Sequence, residues 1–179
     1  MIVVVAPGQG SQTPGFLAPW LELPGASDLL GALSEAAEVD LHKHGTVSDA
    51  DTIRDTAVAQ PLIVSAGILT LDALAETDHL AKTAGIAGHS VGEFTAAAGA
   101  GVLEATDAVR LVGIRGRAMA EAAAREATGM SAVIGGDEPD VLAAISANGL
   151  SPANFNGGGQ LVVAGPLSGL AALAENPPT

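Results

Sequence analysis

Short β-branched runs alternate with longer stretches of helix-forming residues along this chain. Ile2 to Ala6 is such a run, stopped by Pro7 and Gly8. It predicts a strand buried on both faces, as in a parallel sheet, that feeds the loop Gly8-Gln9-Gly10-Ser11-Gln12. Ser27 is placed to cap a helix through Ala37, and Gln60 with Pro61 at the first helical position opens a longer apolar helix to about Glu76. Thr83 to Gly88 predicts a second strand, and a helix-forming run from Ser90 to Ala98 follows at once, so the order is strand, sharp turn, helix. Thr106 is expected to cap a further long helix that continues to about Glu126.

The texture changes at Gly129. Met130 to Ile134 reads as a strand, Asp137 to Ala147 as a helix, and Leu150 to Phe155 and Leu161 to Ala164 as strands around the turn Gly157-Gly158-Gly159. Leu167 to Ala174 reads as a closing helix. A ferredoxin-like split unit needs one more strand after that helix, whereas Glu175 to Thr179 reads as a loop. The pattern therefore predicts an α/β protein with two parts, residues 1–126 and residues 127–179, the second lacking its last strand.

Composition narrows the class. Hydrophobic residues make up 48% of the 179 positions and charged ones 15%, a balance that excludes intrinsic disorder. Seven basic against twenty acidic residues give a net charge of -13, which disfavours nucleic acid as a partner. With no cysteine, neither a disulfide framework nor a thiolate metal site nor a cysteine nucleophile is available. The amino terminus lacks a basic n-region, and no run reaches the about 18 uninterrupted apolar residues of a membrane span. A soluble, cytoplasmic protein without a membrane partner is expected.

Gly88-His89-Ser90-Val91-Gly92 matches the G-x-S-x-G nucleophile elbow in the context that pattern needs, a strand before and a helix after. The small residues let the backbone turn so that the serine hydroxyl projects and the next N–H faces an oxyanion; a mere packing turn is the alternative. The loop at Gly8-Gln9-Gly10 fails as a dinucleotide fingerprint, because Thr13 stands where the third glycine is required. It is either a second oxyanion donor or a structural turn.

Arg115 falls on the apolar stripe of its helix, among Leu111, Val112, Ala118 and Met119, while Arg110 and Arg117 point elsewhere, beside Asp107 and Glu121. A guanidinium in that place requires either an internal carboxylate, such as Glu93, or a bound anion, or else it snorkels to the edge. His89 adjoins Ser90 but is poorly placed to reach its hydroxyl, and is expected to orient the elbow or line the pocket. His42 and His44 read as a solvated loop rather than as metal ligands, and His79 completes the set; no histidine follows Ser90.

Together, Gly8 to Gln12, Gln60-Pro61, Gly88 to Glu93, Arg115-Gly116 and Asn154-Phe155-Asn156 closely resemble the malonyl-CoA:acyl carrier protein transacylases and related acyltransferase domains. The resemblance implies a hydrolase-like parallel sheet with helices plus a ferredoxin-like small subdomain, both incomplete here. It implies that Ser90 accepts malonyl from malonyl-CoA and passes it to the phosphopantetheine thiol of acyl carrier protein in fatty acid synthesis. By position, Gln9 and Val91 match the oxyanion-hole N–H donors, Arg115 the clamp for the malonyl carboxylate, and Gln60 a pocket-lining residue. Asn156 and Gln160 fall where contact with the pantetheine arm is expected. No permanently bound cofactor and no metal are implied. The family's histidine base lies beyond residue 179, so this chain alone is expected not to turn over. Two other readings stand beside this one: a serine esterase with the same elbow, and a catalytically incompetent fragment that binds coenzyme A or the carrier. Coenzyme A and the carrier are acidic, so docking calls for a basic patch, for which Lys82, Arg110, Arg117 and Arg125 are the candidates.

Overall fold

The computed structural model describes residues 2–77 and 81–178, so His79 lies outside the described residues. The chain forms a mixed α/β protein of two compact units, residues 1–120 and 121–179.

In the first unit, β1 (Ile2–Ala6) and β2 (Thr83–Gly88) pair in parallel, with Val4 opposite Ile86 and Ala6 opposite Gly88. Between them come α1 (Ala26–Ala37), α2 (Leu41–Thr46) and α3 (Thr56–Ala75), and after β2 follow α4 (Gly92–Gly99) and α5 (Ala105–Ala123). Leu17, Leu30, Leu33, Leu41, Leu62 and Val112 are among the fully buried side chains at the centre of the unit. Helix α3 is long and apolar enough to cross a bilayer by length and composition, though Gln60, Ser65, Thr70 and Asp72 interrupt it. Its burial in this core accounts for that composition.

Several local expectations are corrected. Strand β1 is not covered on both faces: Val3 is 50% and Val5 75% exposed, because among the described residues the sheet has two strands and α4 packs against them. Ser27 lies inside α1, whose N-cap is Gly25 at φ 78°, a left-handed conformation that glycine adopts without a Cβ clash. Helix α3 begins not at Gln60 but at Thr56, because the Asp55 carboxylate accepts the Ala57 N–H at 2.8 Å and starts the helix earlier. Pro61 is thus inside the helix, and Gln60 sits more than a turn in rather than at an open end. Thr106 lies within α5, whose first turn closes from the Ala108 N–H to the Glu104 carbonyl. The expected loop at His42 and His44 is the short helix α2, capped by Asp40 on the Lys43 N–H at 3.0 Å.

The second unit runs β3 (Thr128–Ile134), α6 (Glu138–Ala147), β4 (Ser151–Gly157), β5 (Gln160–Pro166) and α7 (Leu167–Glu175). Its sheet is antiparallel in the order β3-β5-β4. Val141, Ile145, Leu150, Leu161, Val163, Leu170 and Leu173 form its separate core.

Candidate active site

The turn from β2 into α4 is as sharp as its sequence demands. A Cβ at Gly88 would collide with the backbone of Gly92 and Glu93, and one at Gly92 with the carbonyls of Ala6 and Pro7. Only glycine at both places lets the helix start lie against the ends of both strands. Ser90, at the apex, adopts φ 52°, which is uncommon for a residue with a Cβ and recurs where a nucleophile is held on a strand-to-helix turn. Surrounding bonds enforce it: the His89 N–H donates to the Ala6 carbonyl at 3.0 Å, Gly92 to His89 at 2.9 Å and Glu93 to Ser90 at 3.0 Å. Val91 is buried below the apex. Its own N–H takes no part in these bonds among the described residues.

The loop after β1 lies beside this turn. His89 carries its ring against Gly8, where a Cβ would come within 2.6 Å of Nδ1, so the elbow and the loop are packed together. The loop is braced by Gly10 N–H to Gln12 Oε1 at 2.8 Å, by Ser11 Oγ to the Gly8 carbonyl at 3.1 Å, and by Gln12 Nε2 to the Ile53 carbonyl at 3.0 Å. The Gln9 side chain donates from Nε2 to Thr56 Oγ1 at 3.2 Å, and the Gln9 N–H is not used by these contacts.

Arg115 reaches this place from α5. Gly116 lets α5 approach the start of α3, since a Cβ there would stand 2.8 Å from the Thr56 carbonyl. Arg115 Nη1 donates to Gln60 Oε1 at 2.5 Å and Nη2 to Ser90 Oγ at 3.4 Å. The carboxylate partner considered for it, Glu93, is not used. Among the described residues every other arginine has one: Arg54 with Asp51, Arg110 with Asp107, Arg117 with Glu38 and Arg125 with Glu121. Arg117 therefore does not sit beside Glu121 but reaches across to the end of α1, where it also donates to the Ala37 carbonyl at 2.7 Å. Arg110, Arg117 and Arg125 thus each meet a carboxylate at the surface. Among the described residues Arg115 is the arginine without a carboxylate partner; it is half-buried, and its Nη2 is directed at the Ser90 hydroxyl.

Sequence reasoning missed Met119 and Thr56. Met119 Sδ accepts from Gln60 Nε2 at 3.3 Å, and the available signal was its place one helical turn beyond Arg115. His42 Nε2 lies 3.1 Å from the Ser27 carbonyl and His44 Nδ1 3.0 Å from Ser48 Oγ, away from Ser90. Among the described residues no group of His, Asp and Glu side chains could hold a metal. In the second unit, Asn156 Nδ2 donates to Gln160 Oε1 at 2.8 Å, and Gln160 lines a small cavity with Gly135, Glu138 and Phe155.

The elbow serine, the loop after β1 packed against its turn, and a guanidinium held by Gln60 thus meet at the start of α4. The acyl transferase domain family matches residues 3–177, and the chain belongs to that family. It is 55% identical over 179 residues to the malonyl CoA-acyl carrier protein transacylase of Mycobacterium bovis, covering 99% of this chain and 59% of that protein. It is 54% identical to the crystal structure of MCAT from Mycobacterium tuberculosis, with a TM-score of 0.94 over all of this chain and 60% of the other. A malonyl-transacylase solved in complex with its type II PKS acyl-carrier protein is 30% identical, with a TM-score of 0.84 over 97% of this chain and 57% of that one. The chain thus spans about three fifths of the length of the relatives it matches.

Proposed function

We propose that this chain belongs to an enzyme that transfers malonyl from malonyl-CoA, through an ester on Ser90, to the phosphopantetheine thiol of acyl carrier protein in fatty acid synthesis. The observation that carries the reading is Arg115, the arginine without a carboxylate, 3.4 Å from the Ser90 hydroxyl. Malonyl offers a free carboxylate one methylene from its thioester, so a guanidinium beside the nucleophile holds the acid while the carbonyl meets Ser90 Oγ.

In the first half-reaction Ser90 Oγ bonds to the thioester carbon and loses its proton to a base, while the oxyanion is held by the N–H groups of Val91 and Gln9. The carbon–sulfur bond then breaks and coenzyme A leaves as the thiol. In the second half the carrier thiol attacks the Ser90 ester along the same path, and Ser90 regains its proton. The base is the histidine expected in the region that relatives carry beyond residue 179. Gln60 lines the acid pocket, and His89 orients the elbow by packing on Gly8. Asn156 and Gln160 are assigned to the pantetheine arm. Nothing in this chemistry calls for a bound cofactor, and a cytoplasmic setting suits both substrates.

Within this reading the first unit is the opening part of a hydrolase-like subdomain. The second is ferredoxin-like: its strand order β3-β5-β4 is what that split unit yields when one further strand is added beside β3. A serine esterase is disfavoured by Arg115, because a neutral acyl group gives a guanidinium nothing to bind. The test is intact mass after mixing malonyl-CoA with the chain joined to the second half that its relatives carry. A malonyl adduct at Ser90, discharged by holo carrier protein, is expected; release of free malonate alone would favour the esterase, and no covalent change the binding fragment.

A further inference from the structure

Gln60 is 1% exposed, so the direction of its amide is an energetic matter. Its Oε1 takes the Arg115 Nη1 donor at 2.5 Å, and its Nε2 faces the other way, toward Met119 Sδ at 3.3 Å and Gln9 Oε1 at 3.5 Å. The reversed amide would set NH2 against the guanidinium, donor against donor. Both sides select the working orientation, the guanidinium at Oε1 and the pair of acceptors at Nε2, of which the sulfur is the nearer. Gln9 is oriented in the same sense, since its own Nε2 is spent on Thr56 Oγ1 and points Oε1 at Gln60.

We propose that Met119 is a positioning residue: its thioether sulfur holds the Gln60 amide with Oε1 toward Arg115, and so sets the guanidinium in the pose that receives the substrate's carboxylate. This rests on the malonyl reading of the site. A thioether suits the place because it accepts a hydrogen bond without charge. A carboxylate there, one turn from Arg115, would pair with the guanidinium and take it from the substrate.

The experiment compares Met119→Leu, which keeps the volume and removes the acceptor, with Met119→Gln, which restores an acceptor oxygen at similar reach. Each is made in the chain joined to its second half and assayed with malonyl-CoA and acetyl-CoA. Met119→Leu should raise KM for malonyl-CoA about fivefold, with kcat and the acetyl-CoA reaction little changed, and Met119→Gln should restore it. The Gln60 side-chain amide resonance should shift in Met119→Leu with no substrate present. Equal losses on both substrates, or an unmoved Gln60 resonance, overturn the proposal. Arg115→Ala serves as the separate control: if the preference for malonyl survives it, the malonyl reading falls, and the Gln60 resonance alone decides whether Met119 orients the amide.

Discussion

Arg115 Nη2 lies 3.4 Å from Ser90 Oγ, bringing together two residues twenty-five positions apart, one on helix α5 and the other at the apex of the turn between β2 and α4. With its other nitrogen held by Gln60 and no carboxylate of its own, the guanidinium presents both charge and direction before any substrate arrives.

Ser90→Ala should abolish covalent labelling by malonyl-CoA, because of the two non-glycine residues with positive φ among the described residues, Glu38 and Ser90, only Ser90 stands on a strand-to-helix turn. Peptide mapping after labelling is the check. A malonyl group found on Ser11 would remove the central assignment.

Arg115→Ala should weaken malonyl transfer by about 2 to 4 kcal/mol of transition-state stabilisation while sparing or improving an uncharged acyl-CoA. The comparison of kcat/KM for malonyl-CoA and acetyl-CoA reads it. Parallel losses would show that Arg115 serves only to tie α5 to Gln60.

Gly92→Ala should both destabilise the first unit, by about 1 to 3 kcal/mol, and prevent acylation of Ser90. The added Cβ meets the carbonyls of Ala6 and Pro7, which are backbone and cannot swing aside. Urea unfolding together with intact-mass labelling measures the two effects; a variant of unchanged midpoint and full labelling would mean that the elbow tolerates a wider turn.

Residues 1–179 alone should not transfer malonyl and should bind anilinonaphthalene sulfonate, since Val3 and Val5 stand exposed and neither His42 nor His44 reaches Ser90. Supplying the second half in the same chain should restore activity and suppress dye binding. Transfer by the 179-residue chain alone would demand a base from within it.

The elbow was legible from its letters because its geometry is local: two glycines and a serine between a strand and a helix leave the backbone one way to turn. The strands and helices of the second unit were legible for the same reason, since each apolar run is bounded by turn residues. The start of α3 was misread at Pro61 because two valid local signals competed, and the Asp55 cap acted five residues earlier. The exposure of β1 was misread because a β-branched run reports what a strand is suited to, whereas its actual cover depends on which elements pack beside it.

Sequence alone determined the sharp turn that carries Ser90, the loop that follows the first strand, and that Arg115 stands one helical turn from Leu111, Val112, Ala118 and Met119. Each follows from covalent neighbours and helical spacing. The choice among the partners open to Arg115 belonged to the tertiary structure. Gln60 lies fifty-five positions away and Glu38 took Arg117 instead, so the packing of α1 and α3 against α5 decided which guanidinium met a carboxylate and which met an amide. Hydrogen bonds reach about 3 Å, and only the folded chain brings such distant residues that close.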